Sequence, residues 1–73
     1  MRGNEFVDRV KRIAERRSIT FRFDATRGKG SHGTLWLGAR FTVVPNLRHE
    51  LKKGTLSGMC RALDIRPQDL FDV

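Results

Sequence analysis

The hydrophobic period of this chain changes at Ser18, and that change decides what it can fold into. Before it, Phe6, Val10, Ile13, Ala14 and Arg17 recur at i, i+4, i+7, i+8 and i+11, the spacing of one face of a helix. Asn4 is a candidate cap, Glu5 and Asp8 fall in the first turn, and Lys11, Arg12, Arg16 and Arg17 follow, the charge order that the helix dipole favours. The spacing predicts an amphipathic helix over 4–17, with a cationic side that reads first as solvated and second as a phosphate contact. After Ser18, Ile19, Phe21, Phe23 and Ala25 alternate with Thr20, Arg22 and Asp24, the period of a strand with one buried face. Thr34-Leu35-Trp36-Leu37 reads as a second strand, with Trp36 on the face opposite the two leucines. Gly38-Ala39 is a tight connection, and Arg40 to Val44 is a third strand stopped by Pro45.

The helical period then returns. Asn46 to Lys53 reads as a charged loop, and Gly54-Thr55 opens a second helix, with Thr55 as its cap and Leu56, Met59, Cys60 and Leu63 on one face. Asp64-Ile65-Arg66 leaves that helix, and Pro67 to Phe71 reads as a final turn with proline in its first position and Leu70 or Phe71 packing back. The expected order is α-β-β-β-α, a two-layer α+β domain with two helices on one face of a three-stranded antiparallel sheet. With 73 residues, the chain has room for a single domain, 1–73, and one small core.

Charge narrows the partner. Fifteen Lys and Arg against eight Asp and Glu give +7, which points to a polyanion, nucleic acid above all. The single cysteine, Cys60, can form no internal disulfide and sits where a small buried hydrophobe is expected. Apolar runs are short, so no membrane span and no signal-peptide core is expected, and a reducing cytoplasm is the expected compartment.

The chemistry concentrates in Arg27-Gly28-Lys29-Gly30-Ser31-His32-Gly33, between the first two strands. Glycines let backbone approach a ligand closely, Arg27 and Lys29 bring positive charge, and Ser31 brings a hydroxyl. His32 is a residue type that takes and returns a proton near neutral pH. RNA carries its own nucleophile, the 2′-hydroxyl, so cutting it needs a base and a cation beside the phosphate. His32 is the candidate base, and Arg27, Lys29, Lys52 and Lys53 are candidate cations. Lys52 and Lys53 stand just before a helix N-terminus, where amides already favour anions. The eight carboxylates are scattered and form no Asp-x-Asp or His-x-x-x-His type of ligand set, so the expected chemistry needs no metal and no cofactor. His49 is the other histidine, without flanking glycines and with Glu50 as a candidate tether. Trp36 leaves two readings open, a ring that meets a base or partner and a ring that covers the far side of a small sheet.

Three segments together resemble the HicA family of toxin-antitoxin ribonucleases: Gly30-Ser31-His32 at the second strand, Val43-Val44-Pro45 ending the third, and Glu50-Leu51-Lys52-Lys53-Gly54-Thr55-Leu56 opening the second helix. The resemblance covers nearly the whole chain. It implies a double-stranded-RNA-binding-domain-like fold, cleavage of messenger RNA dependent on the histidine of the Gly-Ser-His motif, here His32, and silencing by a HicB-type antitoxin. The chain departs from the family pattern at Gly33 and Asn46, where relatives often carry histidines, and in the longer run from Asp24 to Lys29.

Two other readings use the same residues. One is a module that grips double-stranded RNA without cutting it, and the other is a subunit of a repressor complex. Nothing here resembles a helix-turn-helix, so any contact with operator DNA is expected to come through the antitoxin complex.

Overall fold

A computed structural model of the chain describes residues 1–25 and 32–73. Helix α1 spans Gly3–Arg17, strands β1, β2 and β3 span Phe21–Ala25, Gly33–Leu37 and Arg40–Val44, and helix α2 spans Lys53–Ala62. A 3₁₀ turn, Pro67–Phe71, follows. The strands form one antiparallel sheet in the order β1-β2-β3, which is the α-β-β-β-α arrangement that the two hydrophobic periods predict.

Central strand β2 shows why the sheet has an inside and an outside. Gly33, Leu35 and Leu37 are buried while Thr34 and Trp36 are only half-buried, the alternation that a pleated strand imposes. The helical layer covers the leucine side: α1 packs on β1 and β2, and α2 on β3. Phe6, Val10, Ile13 and Ala14 from α1 meet Met59, Cys60 and Leu63 from the α2 end, with Leu35, Leu37 and Val44 from the sheet. β1 is an edge strand, so its inward Phe21 and Phe23 are only partly buried, and Ala25, expected inside, is exposed at the end of the sheet. Gly38, at φ +62, begins the two-residue turn from β2 to β3, as a primed hairpin turn requires.

Neither helix begins where its expected cap stands. α1 starts at Gly3, with Arg2 in the cap position and no side-chain cap, and the Asn4 amide donates to the Leu47 carbonyl at 2.8 Å. Tertiary contact replaces the local cap, because the turn after β3 lies directly against the helix start. Gly3 permits this: a Cβ there would stand 2.6 Å from Leu47 Cα and 2.8 Å from the Asn46 oxygen. α2 likewise starts earlier than expected, with Lys52 in the cap position and Thr55 inside the first turn, where it caps nothing.

The C-terminal turn is held by a buried carboxylate. Asp69 accepts from the Arg66 backbone N–H at 2.9 Å and pairs with Arg17 of α1 at 3.3 Å. Arg9 donates to the Leu70 carbonyl at 2.8 Å and Arg16 to the Asp72 carbonyl at 2.5 Å. Arg9, Arg16 and Arg17 of α1 are therefore engaged by residues 69–72, and of these Arg16 and Arg17 are two of the cations that read as solvated or phosphate-facing. Leu70 is fully buried and Phe71 is exposed, which settles which of the two packs inward. Cys60 is fully buried, and burial, with the Asp69 charge adding to it, pushes its thiol up to about 11, so it is unreactive core.

The Gly3 contact sets two effects against each other. Gly3→Ala gains up to about 1 kcal/mol of helix propensity, but the overlap is with backbone, and overpacking of this kind costs about 1–3 kcal/mol. A net loss of stability is expected in urea unfolding, and a gain would show that the turn yields. Asp69 gives a second test. The Arg66 N–H holds its pKa below the ordinary carboxylate value, burial opposes this, and the Arg17 and Arg66 guanidiniums add to the lowering. Its stabilising effect is thus present above pH about 4 and disappears as pH falls through the folded value. Urea midpoints should be lower for Asp69→Asn than for wild type at pH 7, with the gap closing on acidification, and a gap independent of pH would contradict this.

Candidate nucleic-acid interface

His32 stands immediately before β2 and is exposed. Its position follows from Gly33, which pairs with Ala25 on one side and Val44 on the other, at the end of the sheet where β2 enters and β1 and β3 leave. The Phe23 ring lies over Gly33, and a Cβ at that position would overlap it. An inward aromatic on β1 therefore seats the start of the central strand. His32, the next residue back, shares the parity of the outward residues Thr34 and Trp36.

The same end of the molecule gathers other expected residues. Beyond Val44 the chain passes Pro45 and turns at Asn46, at φ +52, and Leu47 then abuts the start of α1. The backbones of Arg2 and Glu50 form an isolated antiparallel bridge, and the Leu51 amide donates to the Met1 carbonyl at 2.9 Å, which keeps the segment at that end up to Lys52. Lys52 occupies the cap position of α2 and Lys53 its first turn, both exposed. With no side chain capping α2, its first amides and the two lysines present a cationic corner suited to phosphate. The backbone thus brings His32, Lys52 and Lys53 to one end. Arg27, Lys29 and Ser31 lie outside the described residues. His49 is exposed, its amide donating to the Asn46 carbonyl at 3.0 Å, while Glu50, the expected tether, is taken by the Met1 amino group.

Sequence reading placed Trp36 on the outer face but missed what accompanies it. Trp36 lies opposite Arg22 on β1 and Phe41 on β3, so one cross-strand row carries a cation and two aromatic rings. The Arg22 guanidinium stands 4.7 Å from the Trp36 ring centroid, a cation–π distance. Phe41 is 59% exposed and Val43, one row along, is 52% exposed. The signal was available: a two-residue turn at Gly38-Ala39 fixes the Leu37–Arg40 pair and hence Trp36–Phe41. Asp69 was missed too, although its place three residues after Arg66 is that of a residue reaching back to the start of a turn.

Two grooves are lined by described residues away from His32. One is lined by Arg17, Ile19, Leu37, Arg40, Leu63 and Ile65 where β2 turns into β3, and another by Ser57, Arg61, Asp64 and Arg66. Neither is lined by His32, which is itself exposed. Among the described residues, no three His, Cys, Asp or Glu side chains are grouped to hold a metal ion, and no helix is long and apolar enough to cross a membrane. Compared with protein-family models, curated proteins and solved structures, the chain matches none of them.

The seat of His32 can be probed through its neighbour. Gly33→Ala should cost about 1–3 kcal/mol of stability by crowding the Phe23 ring. Adding Phe23→Leu should recover part of that loss in a double-mutant cycle. Strictly additive unfolding energies would show that the ring does not press on residue 33.

Proposed function

We propose that this chain is a toxin of the HicA type, a metal-independent endoribonuclease that cuts messenger RNA in the cytoplasm and is held silent by a HicB-type antitoxin. The observation that carries this reading is the placement of His32: exposed, at the mouth of the central strand, at the end of the molecule that also presents Lys52, Lys53 and the uncapped start of α2. The +7 charge suits the substrate, and the Gly-Ser-His and Leu-Lys-Lys-Gly-Thr-Leu segments resemble the family's.

In this mechanism an imidazole nitrogen of His32 takes the proton of a ribose 2′-hydroxyl. The 2′-oxygen attacks the adjacent phosphorus, the bond from phosphorus to the 5′-oxygen breaks, and a lysine or water returns a proton to that oxygen. The products are a 2′,3′-cyclic phosphate and a 5′-hydroxyl. Lys52 and Lys53 stabilise the charge that grows on the phosphorane, with Arg27, Lys29 and Ser31 assigned to the phosphate by their place in the motif. Gly33 departs from the family pattern for a local reason, since the Phe23 ring fills the space that a second histidine would need. A single histidine implies slow turnover.

The antitoxin, in this reading, covers the cationic end around His32, blocking RNA and neutralising charge together. Contact with operator DNA belongs to that complex and not to this chain alone. The α-β-β-β-α order with two lysines at the α2 N-terminus also supports a second reading, a module that binds double-stranded RNA through its shape and phosphates without cutting.

One assay separates the two. Wild type and His32→Ala are incubated with a defined single-stranded RNA in excess EDTA, and fragments are resolved on a gel. Cleavage by wild type, slowed by about 10²–10⁴-fold in the variant, is the expected result for a general base. His32 is exposed, so the variant should keep the wild-type circular dichroism. RNA left whole by both proteins but retarded on the gel would sink the nuclease and leave the binding module.

A further inference from the structure

The outer face of the sheet plays no part in that mechanism, yet it carries the largest exposed apolar side chains of the strands. We infer that it is a stacking platform for the bases of single-stranded RNA, with Trp36 and Phe41 as the stacking rings and His32 at its end. The inference rests on the ribonuclease reading and adds the surface along which the substrate lies.

Trp36 and Phe41 are direct neighbours across the β2–β3 ladder, so their Cβ atoms lie about 4.5–5.5 Å apart on the same face of the sheet. Rings of this kind accept any base, because every base has a π face. The Arg22 guanidinium at the Trp36 ring places positive charge where a phosphate next to a stacked base would run. His32 and Trp36 share parity four residues apart, which puts them about 13 Å from each other along the strand. A strand of RNA crossing Trp36 and Phe41 therefore leads to His32 without changing faces. Asp24, the acidic residue of this face, lies opposite Thr34 on the β1 edge, so a path over Val43, on the β3 side of β2, keeps phosphates one strand farther from it. An uncharged apolar stripe on a neutral chain would favour a protein occupant. A row of rings joined to a cation, on a chain of +7 and continuous with the candidate base, favours RNA.

The chain has one tryptophan and no tyrosine, so its emission reports on this face alone. The probe is a single-stranded 2′-O-methyl RNA of about a dozen nucleotides, which lacks the free 2′-hydroxyl and is not cut. Added to wild-type protein, it should quench the tryptophan fluorescence saturably, while a duplex of the same sequence should not. Phe41→Ala and Trp36→Ala should each bind the labelled oligonucleotide about 5- to 150-fold more weakly by anisotropy, whereas Trp36→Phe, which keeps a ring, should recover most of the affinity. Phe41 is exposed, so its truncation leaves the core intact. Binding of the oligonucleotide with unchanged fluorescence and full affinity in Phe41→Ala would overturn the platform while His32-dependent cleavage stood. Fluorescence that changes with protein concentration alone, with no response to RNA, would overturn it in favour of a second copy of the chain on this face. Absence of both binding and cleavage would overturn the platform together with the ribonuclease reading.

Discussion

Everything in this molecule hangs on the pleat of β2. Leu35 and Leu37 must face the helices, because between them and Val44 they supply the buried apolar surface of the sheet, and a strand period of two then leaves no freedom for the residues between. Trp36 and Thr34 are turned outward by the same geometry that turns the leucines inward. The buried Gly33 holds the register at the strand's start, where the Phe23 ring needs the space that a side chain would occupy. A slip of one residue would expose the leucines, bury the tryptophan and carry His32 to the helical side. Packing therefore sets the position of His32 and Trp36, although neither belongs to the core.

The two layers divide charge between them. Cations on the helical side are partly spent on the protein itself: Arg9 and Arg16 bind carbonyls near the C-terminus, Arg17 binds Asp69, and Arg12 pairs with Asp8. Those at the end of the sheet, Lys52 and Lys53, accompany uncapped amides. The sheet face is mainly apolar, with Arg22 and Asp24 on its β1 edge. Positive charge and uncapped backbone donors thus coincide at the start of α2.

The element order was legible because each element carries its own period, and the turns at Gly38-Ala39 and Pro45 punctuate the strands unambiguously. Helix starts were not, because both candidate caps, Asn4 and Thr55, are local signals. The α1 start is instead satisfied by Leu47, more than forty residues away, and no propensity encodes that partner. The site was legible in its residue types and less so in its assembly. Lys52 and Lys53 are twenty residues from His32 in sequence, and only the docking of the Asn46–Leu51 segment on the start of α1 brings them to its end of the molecule. The Arg22–Trp36–Phe41 row required counting register across two hairpins, one of whose connections falls among residues 26–31.

The tertiary contacts that complete the start of α1 and anchor its arginines are distant in the chain. Its first residue is bounded by Asn46 and Leu47, and Arg9 and Arg16 reach partners 61 and 56 residues away. Within these 73 residues α1 precedes the sheet, and the segments that meet its start and its arginines follow the sheet. Until they arrive, α1 is an isolated amphipathic helix of marginal length, with an apolar face and nothing to cover it. Such long closures are slow compared with helix formation, so contacts of this sequence separation weigh on the folding rate more than the helices themselves do. A chain cut before Pro67 would carry the His32 strand but lack the turn that Arg9, Arg16 and Arg17 hold against α1.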